Sequence, residues 1–280
     1  MTTIRAGVVG SPARHSLSPL IHTAWLKAAG IDGEYGLYDI AADGFEAFLN
    51  QALADGLRGV NVTLPFKEQA LIAADTASEA AQLAGAANLL VFEEGGIRAG
   101  NTDGVGLIHA LNRQAPGLDY IGRPVVLLGA GGAAKGAAAA LAAAGCREIR
   151  IVNRTAARAD QLAVELMLDF DTDIMRWDFE PALEGAGLLI NAATAGLGGK
   201  DDRRLDLSGA AGDLVVMDMV YAPLVTPLLA AAKARGLGVV DGLEMLIGQA
   251  IPSFEAFFGQ KPPAGVDVRA LALAQLEWRA

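Results

Sequence analysis

The sequence predicts an α/β protein of two domains. Short runs of valine, isoleucine and leucine alternate with helical stretches of roughly ten to fifteen residues along nearly the whole chain, which is typical of βαβ units with parallel strands. The chain has 280 residues, a length that corresponds to about two domains. A polar stretch marked by proline and glycine, Gln114–Pro124, separates two series of predicted strands.

The first series lies in the amino-terminal part of the chain. We predict strands at Arg5–Val9, Tyr35–Ile40 and Gly59–Thr63, helices at Pro19–Ala29 and Phe45–Ala54, a hairpin of Asn88–Glu93 and Ile97–Gly100, and a helix from Asp103 to Arg113. Gly95 and Gly96 supply the hairpin turn, because glycine adopts the backbone angles that tight turns require.

The second series follows the Gln114–Pro124 stretch. Its strands are predicted at Val125–Leu128, Glu148–Val152, Leu188–Asn191, Leu214–Met219 and Gly238–Val240. Gly145 lies just past an alanine-rich helix, where a glycine that ends a helix is expected. Two further helices are predicted at Leu243–Phe257 and Val266–Arg279.

Composition and charge exclude several classes of protein. Hydrophobic residues make up 52% of the chain and charged residues 19%, which excludes a disordered chain or a repetitive fibre. The formal net charge of −10 repels phosphate backbones, so we expect no nucleic-acid partner. The single cysteine, Cys146, allows no intramolecular disulfide and no cysteine metal cage. His15, His22 and His109 show no ligand spacing, and we predict no metal site.

The sequence also indicates where the protein resides. The amino terminus, MTTIRAGVVGS, lacks a long apolar run, so we expect neither a signal peptide nor a membrane anchor. The longest apolar stretch, Gly136–Ala144, is too short to cross a bilayer. We therefore expect a soluble cytoplasmic protein. The oligomeric state stays open, with a homodimer as one option.

A glycine motif opens the second series. Gly129, Gly131 and Ala134 fit the spacing G-x-G-x-x-G/A, and they lie between a buried strand and a helix, the context that this motif requires. The free amides and positive dipole end of the helix would bind a pyrophosphate. The second domain is therefore predicted to be a doubly wound, Rossmann-type dinucleotide-binding domain. We assign the cofactor phosphates to Gly129, Ala130, Gly131, Gly132 and Ala133.

The end of the next strand distinguishes the two nicotinamide cofactors. An NAD enzyme carries an acidic residue near this point to bind the ribose 2′-hydroxyl. Here the chain reads Asn153-Arg154-Thr155, with Arg158 one helical turn further on. A guanidinium pairs with a 2′-phosphate, so we predict NADP and assign these four residues to it. Thr155 also suits the cap of the next helix.

Four polar clusters follow predicted strand ends, where α/β proteins bind ligands. They are His15–Pro19, Gly59–Lys67, Gly85–Asn88 and Gly100–Asp103. Each has an ordinary structural explanation: Ser18 as a helix cap before Pro19, Asn101–Asp103 as a polar turn, and Lys67 as a surface lysine. Together they offer hydroxyls, amides, one ammonium and one carboxylate, a set that suits a small polyhydroxylated ligand.

The chain resembles the shikimate dehydrogenases and the related quinate/shikimate dehydrogenases. The resemblance spans nearly the whole sequence and rests on the ordered motifs GSPARHSLSPLIH, GVNVTLPFK, AGAAN, GNTDGVG, GAGGAA, NRT, NAATAG, YAPLVTPLL and DGLEMLIGQA. It implies a substrate-binding domain of residues 1–103 with 244–280, in which the last helices return to the first domain. Residues 104–243 would then form the NADP-binding domain.

The resemblance also implies roles for single residues. Lys67 and Asp103 become the catalytic pair. The substrate's carboxylate and hydroxyls are assigned to Ser16, Ser18, Asn61, Thr63, Asn88, Asp103, Tyr221 and Gln249. Met219 and Gly242 are placed near the nicotinamide, and Glu79 near the cofactor. Taken alone, Gln249 suits an ordinary amide on a helix surface, and Tyr221 a half-buried aromatic residue at a strand end.

The sequence departs from the family pattern at two motifs. The family commonly has a Thr-Ser pair where this chain reads Ala193-Thr194-Ala195, and its Asn-Thr pair is reduced to Asn88-Leu89. Neither departure removes a proposed catalytic residue, although both bear on fine substrate preference.

The implied reaction interconverts a ring secondary alcohol of shikimate with the ketone of 3-dehydroshikimate, in aromatic amino acid biosynthesis. The sequence leaves open which residue of the Lys67–Asp103 pair carries the proton. The nearest alternative is a quinate/shikimate dehydrogenase that uses NAD or both cofactors. More distant ones are another two-domain NADP oxidoreductase, acting on a folate, and a nucleotide-sensing regulator that has lost catalysis.

Overall fold

The computed structural model describes residues 3–168, 170–193 and 205–279. The chain divides into two compact units, which we call unit 1 (Met1–Asp103 with Leu246–Ala280) and unit 2 (Gly104–Met245). The second segment of unit 1 begins at Leu246, two residues beyond the predicted start at 244, and this boundary falls within a helix.

Unit 1 contains a mixed six-stranded sheet. Its elements are β1 (Ile4–Gly10), α1 (Ser18–Ala29), β2 (Gly33–Asp39), α2 (Phe45–Ala54), β3 (Gly59–Val62), α3 (Lys67–Ile72), β4 (Thr76–Ala77), α4 (Glu79–Ala84), β5 (Leu89–Glu93) and β6 (Gly96–Gly100). The strand order is β2-β1-β3-β5-β6-β4. Strand β1 pairs in parallel with β2 and β3, while β5 runs antiparallel to both β3 and β6. The predicted hairpin is therefore part of this sheet.

The core of unit 1 lies against its central strands. All four residues of β3 are buried, as befits a strand covered on both faces. Phe45 of α2 stacks on Phe66 at 5.0 Å between ring centroids, and both are buried beside the β3 residues Val60 and Val62. This packing places the end of β3, and the start of α3 beyond it, on a rigid base.

Unit 2 contains a fully parallel six-stranded sheet. Its elements are α5 (Asp103–Gln114), β7 (Val125–Leu128), α6 (Gly132–Ala143), β8 (Glu148–Val152), α7 (Ala156–Met167), β9 (Asp173–Arg176), α8 (Phe179–Ala182), β10 (Leu188–Asn191), β11 (Val215–Asp218), α9 (Pro227–Ala234) and β12 (Gly238–Val240). The strand order is β12-β11-β10-β7-β8-β9. It is the doubly wound order of dinucleotide-binding folds, in which ligands bind beyond the carboxyl ends of the strands.

Helices α10 (Gly242–Phe258) and α11 (Val268–Arg279) follow β12. Helix α10 begins in unit 2 and continues into unit 1. Helix α5 begins at Asp103, the last residue of the first segment of unit 1, and continues into unit 2. Among the described residues, no helix is both long enough and apolar enough to span a membrane.

Candidate active site

Lys67 and Asp103, the predicted catalytic pair, are in direct contact in unit 1. Lys67 Nζ donates to Asp103 Oδ2 across 2.6 Å, and the two side chains are 26% and 21% exposed. Lys67 is the first residue of α3, and Asp103 is the first residue of α5. An ammonium and a carboxylate therefore lie side by side, partly shielded from water, where a small ligand can reach both.

Asn88 restrains the carboxylate of Asp103. Its Nδ2 donates to Asp103 Oδ1 at 2.8 Å, while its Oδ1 accepts the backbone N–H of Thr102 at 2.8 Å. Asn101 Oδ1 accepts the backbone N–H of Asp103 at 2.9 Å, an Asx turn. Since Lys67 binds the other carboxylate oxygen, both oxygens of Asp103 have a defined partner. The polar turn predicted at 101–103 is thus present and also forms part of the site.

Gln249 of α10 joins the same cluster. Its Oε1 accepts hydrogen bonds from Asn88 Nδ2 and Thr102 Oγ1, each at 3.2 Å. The side chain is buried, so its interpretation as an ordinary surface amide is wrong. Among the described residues its Nε2 group has no acceptor, which leaves two N–H donors for a ligand.

Asn61, the third residue of β3, is held by partners on three sides. Tyr35 donates its hydroxyl to Asn61 Oδ1 at 2.7 Å, and Asn61 Nδ2 donates to the backbone carbonyl of Asn88 at 3.1 Å and to Ser253 Oγ at 2.8 Å. Both amide hydrogens are therefore used inside the protein. Toward a ligand, Asn61 can offer only the second lone pair of Oδ1, as an acceptor.

Ser18 extends this chain of hydrogen bonds to α1. Burial raises the pKa of Tyr35 well above its ordinary value, and the hydrogen bond with Ser18 acts in the opposite direction, so Tyr35 stays protonated. The helix begins at Ser18 and its N-cap is Leu17, so the interpretation of Ser18 as the helix cap is wrong. Ser16 Oγ instead accepts the backbone N–H of Ser18 at 3.2 Å. Thr63 follows β3 directly and is half-buried.

The glycine turn of unit 2 has the features expected of a phosphate site. Gly129 has a φ of +112°, and a Cβ there would lie 3.2 Å from the Ala193 backbone nitrogen, so only glycine fits without strain. A Cβ on Gly131 or Gly132 would meet nothing within 4 Å. The first turn of α6 is thus open to a ligand, and its free amides suit a pyrophosphate.

The cations predicted to bind a 2′-phosphate are exposed at the end of β8. Among the described residues, neither Arg154 nor Arg158 has an ion-pair or side-chain hydrogen-bond partner, and both lie at the surface. Asn153 Nδ2 donates to the backbone carbonyl of Thr155 at 2.8 Å, which shapes the turn. Thr155 is the N-cap of α7, but its side chain accepts no hydrogen bond there. Its hydroxyl is therefore free of the capping role proposed for it.

The residues predicted near the nicotinamide lie together in unit 2. A Cβ on Gly242 would lie 2.5 Å from the backbone oxygen of Met219, so the two backbones pack closely and require glycine at 242. Tyr221, half-buried, follows Met219 by two residues. Glu79, by contrast, is the exposed first residue of α4 in unit 1. The structure therefore does not place it in the same unit as the other predicted cofactor residues.

Three family models match this chain. The one described as the shikimate dehydrogenase substrate binding domain matches residues 8–90, the shikimate/quinate 5-dehydrogenase model matches 112–195, and the shikimate 5′-dehydrogenase C-terminal domain matches 242–272. A Caulobacter vibrioides protein (strain NA1000 / CB15N) named shikimate dehydrogenase (NADP(+)) is 52% identical over 98% of this chain and 96% of its own. The chain belongs to the shikimate dehydrogenase family.

Solved structures of a shikimate dehydrogenase and of a quinate dehydrogenase have the same fold. The Thermus thermophilus enzyme, in complex with NADP(H) and shikimate, is 36% identical with a TM-score of 0.87, covering 97% of this chain and 100% of that one. Quinate dehydrogenase from Corynebacterium glutamicum, in complex with NAD, is 30% identical with a TM-score of 0.86, covering 98% and 99% of the two chains.

Tyr35, Thr102 and Ser253 belong to the polar cluster of this shikimate dehydrogenase family member, although the sequence motifs assign them no role. Thr102 lies inside the GNTDGVG motif, which could have indicated it. Ser253 follows Gln249 by one helical turn and donates to its backbone carbonyl at 3.1 Å, so its helical spacing from Gln249 could have indicated it in the sequence. No sequence pattern indicates Tyr35, because its partner Asn61 comes from another strand. Thr194 and Ala195, where the family commonly has Thr-Ser, lie outside the described residues.

Two further side chains, His22 and Cys146, are buried outside the polar cluster. His22 stacks on Tyr35 with 4.0 Å between ring centroids, and burial lowers the pKa of His22 to about 3, so it is neutral at pH 7. Neither of its ring nitrogens has a partner among the described residues. Burial raises the pKa of the Cys146 thiol to about 11, so the reactive thiolate is scarce at neutral pH.

Proposed function

We propose that this protein catalyses the reversible, NADP-dependent oxidation of shikimate to 3-dehydroshikimate in the cytoplasm, a step of aromatic amino acid biosynthesis. The observation that carries the proposal is the Lys67–Asp103 contact, held in a fixed cluster of amides and hydroxyls. Relatives named shikimate dehydrogenase (NADP(+)) support the choice of substrate and cofactor.

The unit 1 cluster suits a ring that carries several hydroxyls. Its one ammonium and one carboxylate compensate each other, and its other groups are neutral donors and acceptors such as the Nε2 group of Gln249 and Oδ1 of Asn61. In this proposal Ser16, Ser18, Asn61, Thr63, Asn88, Asp103, Tyr221 and Gln249 bind the carboxylate and hydroxyls of the substrate. A molecule that lacks one of these hydroxyls would leave a polar group of the site without a partner, and the site would therefore discriminate against it.

Lys67 and Asp103 exchange the proton of the reacting hydroxyl. When bound, NADP⁺ would supply the acceptor for the hydride of the alcohol carbon. As that hydride leaves, the hydroxyl must lose its proton, and the hydrogen-bonded pair accepts it; in the reverse direction the pair returns the proton to the ketone oxygen. The 2.6 Å contact makes the two groups a coupled site, so we assign the proton to the pair.

The groups present in unit 2 fit NADP. Gly129–Ala133 supply open amides for the pyrophosphate, and Asn153, Arg154, Thr155 and Arg158 supply donors for the 2′-phosphate. Among the described residues these guanidiniums are unpaired, in a chain whose net charge is −10, so the local cations act against the global field. Met219 and Gly242 border the nicotinamide in this proposal, and Glu79 is assigned to the cofactor.

A two-by-two turnover assay tests the proposal, with shikimate and quinate each supplied with NADP⁺ and NAD⁺ and reduced nicotinamide followed by absorbance. We expect turnover in only one of the four combinations, shikimate with NADP⁺. Comparable turnover with quinate or NAD⁺ would identify a quinate/shikimate dehydrogenase of broader use. Absence of turnover in all four combinations, from folded protein, would contradict an enzymatic role and favour a nucleotide-sensing regulator.

A further inference from the structure

Asp218, the last residue of β11, is a buried carboxylate that no proposed step uses. Its side chain is 1% exposed, and a buried charge is costly unless hydrogen bonds compensate it. Its partners among the described residues are all uncharged: Val220 N–H at 3.0 Å and Thr226 Oγ1 at 2.7 Å, with Asn191 Nδ2 at 3.1 Å from each carboxylate oxygen. Such a carboxylate orders the chain segments that supply its donors.

Two of those donors, Val220 and Thr226, lie at the two ends of one loop, which we call the 219–225 loop. Val220 lies near its start, and Thr226 directly follows its end as the N-cap of α9, where its Oγ1 also accepts the Leu229 N–H at 3.3 Å. One side chain therefore closes the loop at both ends.

The same carboxylate connects this loop to the neighbouring strand. Asn191 ends β10 in register with Asp218, and its backbone carbonyl accepts the Met219 N–H at 3.1 Å. Its side-chain Oδ1 accepts the Ala193 N–H at 3.2 Å, and Ala193 lies against Gly129 of the glycine turn. Asp218 thus joins the end of β10 to the 219–225 loop, which carries Met219.

We infer that Asp218 is a positioning residue for hydride transfer: its carboxylate closes the 219–225 loop and thereby fixes the loop conformation in which Tyr221 and Met219 are held. This inference rests on the proposed function, which assigns Tyr221 to the substrate and Met219 to the nicotinamide. Asp218 itself takes no proton and touches no reacting atom. An amide at 218 would present N–H groups to donors and would open one or both ends of the loop.

Asp218→Asn tests the inference through three readouts. We expect kcat to fall about 10- to 100-fold and the KM for shikimate to rise, because small displacements of a bound substrate cost about that much. The Kd of 2′,5′-ADP, a probe without nicotinamide that reports the adenosine side alone, should stay unchanged. Asp206→Asn is the control, since Asp206 is an exposed carboxylate of unit 2 bonded to Ser208. It should leave every readout unchanged.

Two further comparisons separate positioning from folding. Combined with Tyr221→Phe, Asp218→Asn should raise the KM for shikimate by less than the product of the two single effects, because both substitutions weaken the same contact, that of Tyr221 with the substrate. Thr226→Val should cause a smaller loss in the same direction, and Thr226→Ser, which keeps the hydroxyl, should restore activity. The Thr226 pair also serves if Asp218→Asn does not fold.

Wild-type kinetics in Asp218→Asn would overturn the inference, as would a parallel loss of 2′,5′-ADP affinity or fully additive effects with Tyr221→Phe. If Asp218→Asn does not fold, equal activities of Thr226→Val and Thr226→Ser would overturn it. Failure of the proposed function is distinguishable, because wild-type protein would then show no turnover of shikimate with NADP⁺.

Discussion

The candidate substrate site and the candidate cofactor site are built in opposite ways. In unit 1 the polar side chains bind one another: Asn88 alone contacts Asp103, Thr102 and Gln249. In unit 2 Arg154 and Arg158 are exposed and, among the described residues, unpaired. Substitutions in the polar cluster of unit 1 should therefore affect both stability and turnover, whereas substitutions of the exposed arginines should affect cofactor binding alone.

The difference follows from what each site must do. Proton transfer requires groups within hydrogen-bond reach of the reacting atom, and a geometry that exists before the substrate arrives lowers the cost of reaching that arrangement. A phosphate is bound by charge and by N–H donors, and these interact best with it when no protein acceptor already uses them. The internal hydrogen bonds around Asp103 therefore suit proton transfer, and the unpaired guanidiniums of Arg154 and Arg158 suit an anion.

The largest effect is expected for Lys67→Ala. It removes the ammonium that contacts Asp103, and we expect kcat to fall about 10²- to 10⁴-fold, the usual contribution of general acid–base catalysis. NADP affinity should be unchanged, because the phosphate site lies in unit 2. Steady-state kinetics and calorimetric titration with NADP⁺ measure the two quantities. Lys261→Ala, at an exposed position of unit 1, is the control; a kcat close to wild type in Lys67→Ala would refute the assignment.

Arg154→Ala tests the cofactor side of the comparison. It should weaken NADP⁺ binding by about 10- to 100-fold, since hydrogen bonds to a charged group contribute about 1.5–3 kcal/mol. NAD⁺ binding and the free energy of unfolding should not change. Arg147→Ala is a matched control, because Arg147 is exposed just before the opposite end of β8. Equal weakening of both cofactors, or a loss of stability, would contradict the role proposed for Arg154.

Asn88→Ala tests the substrate side. It leaves Asp103 Oδ1 and the Thr102 N–H without their partner, so we expect the free energy of unfolding to fall by about 1–3 kcal/mol. The kcat should fall as well, because Asp103 is then free to rotate. Urea unfolding and turnover measure both, with exposed Asn50→Ala of α2 as the control. Loss of kcat at unchanged stability would contradict a stabilising contribution from these hydrogen bonds of Asn88.

The larger elements were accessible from the sequence. Strands β7, β8, β10 and β12 begin and end where the sequence predicts; in β7, β8 and β10 the apolar residues are largely buried, whereas in β12 only Val240 is. The short elements α3, β4, α4, β9 and α8 were not predicted. None of these five segments contains an apolar run bounded by turn residues, which is the signal that marks β7 and β10, and β4 and β9 form by pairing with β6 and β8.

The candidate site was accessible in part, through motifs that lie within single segments. The partners of Asn61 show the limit: Ser253 is 192 residues away along the chain and Tyr35 is 26 residues before it. Neither contact leaves a local pattern, because it exists only when the strands and α10 have packed. The same holds for His22, whose burial against Tyr35 is a consequence of packing and not of spacing.

That burial gives the last prediction, a pH dependence of stability. His22 has a pKa of about 3 in the folded protein and an ordinary value of 6.5, so between these values the unfolded chain binds a proton that the folded protein does not. The free energy of unfolding should therefore decrease as the pH falls below about 6.5, by at most about 1.4 kcal/mol per pH unit from this residue.

His22→Phe tests this prediction, because it keeps an aromatic ring on Tyr35 and removes the titrating group. Urea unfolding between about pH 7 and pH 5, above the range where carboxylates dominate, should give a shallower slope for His22→Phe than for wild type. Parallel slopes would show that His22 becomes protonated without unfolding, and hence that the support beneath the Ser18–Tyr35–Asn61 chain is less closed than its burial indicates.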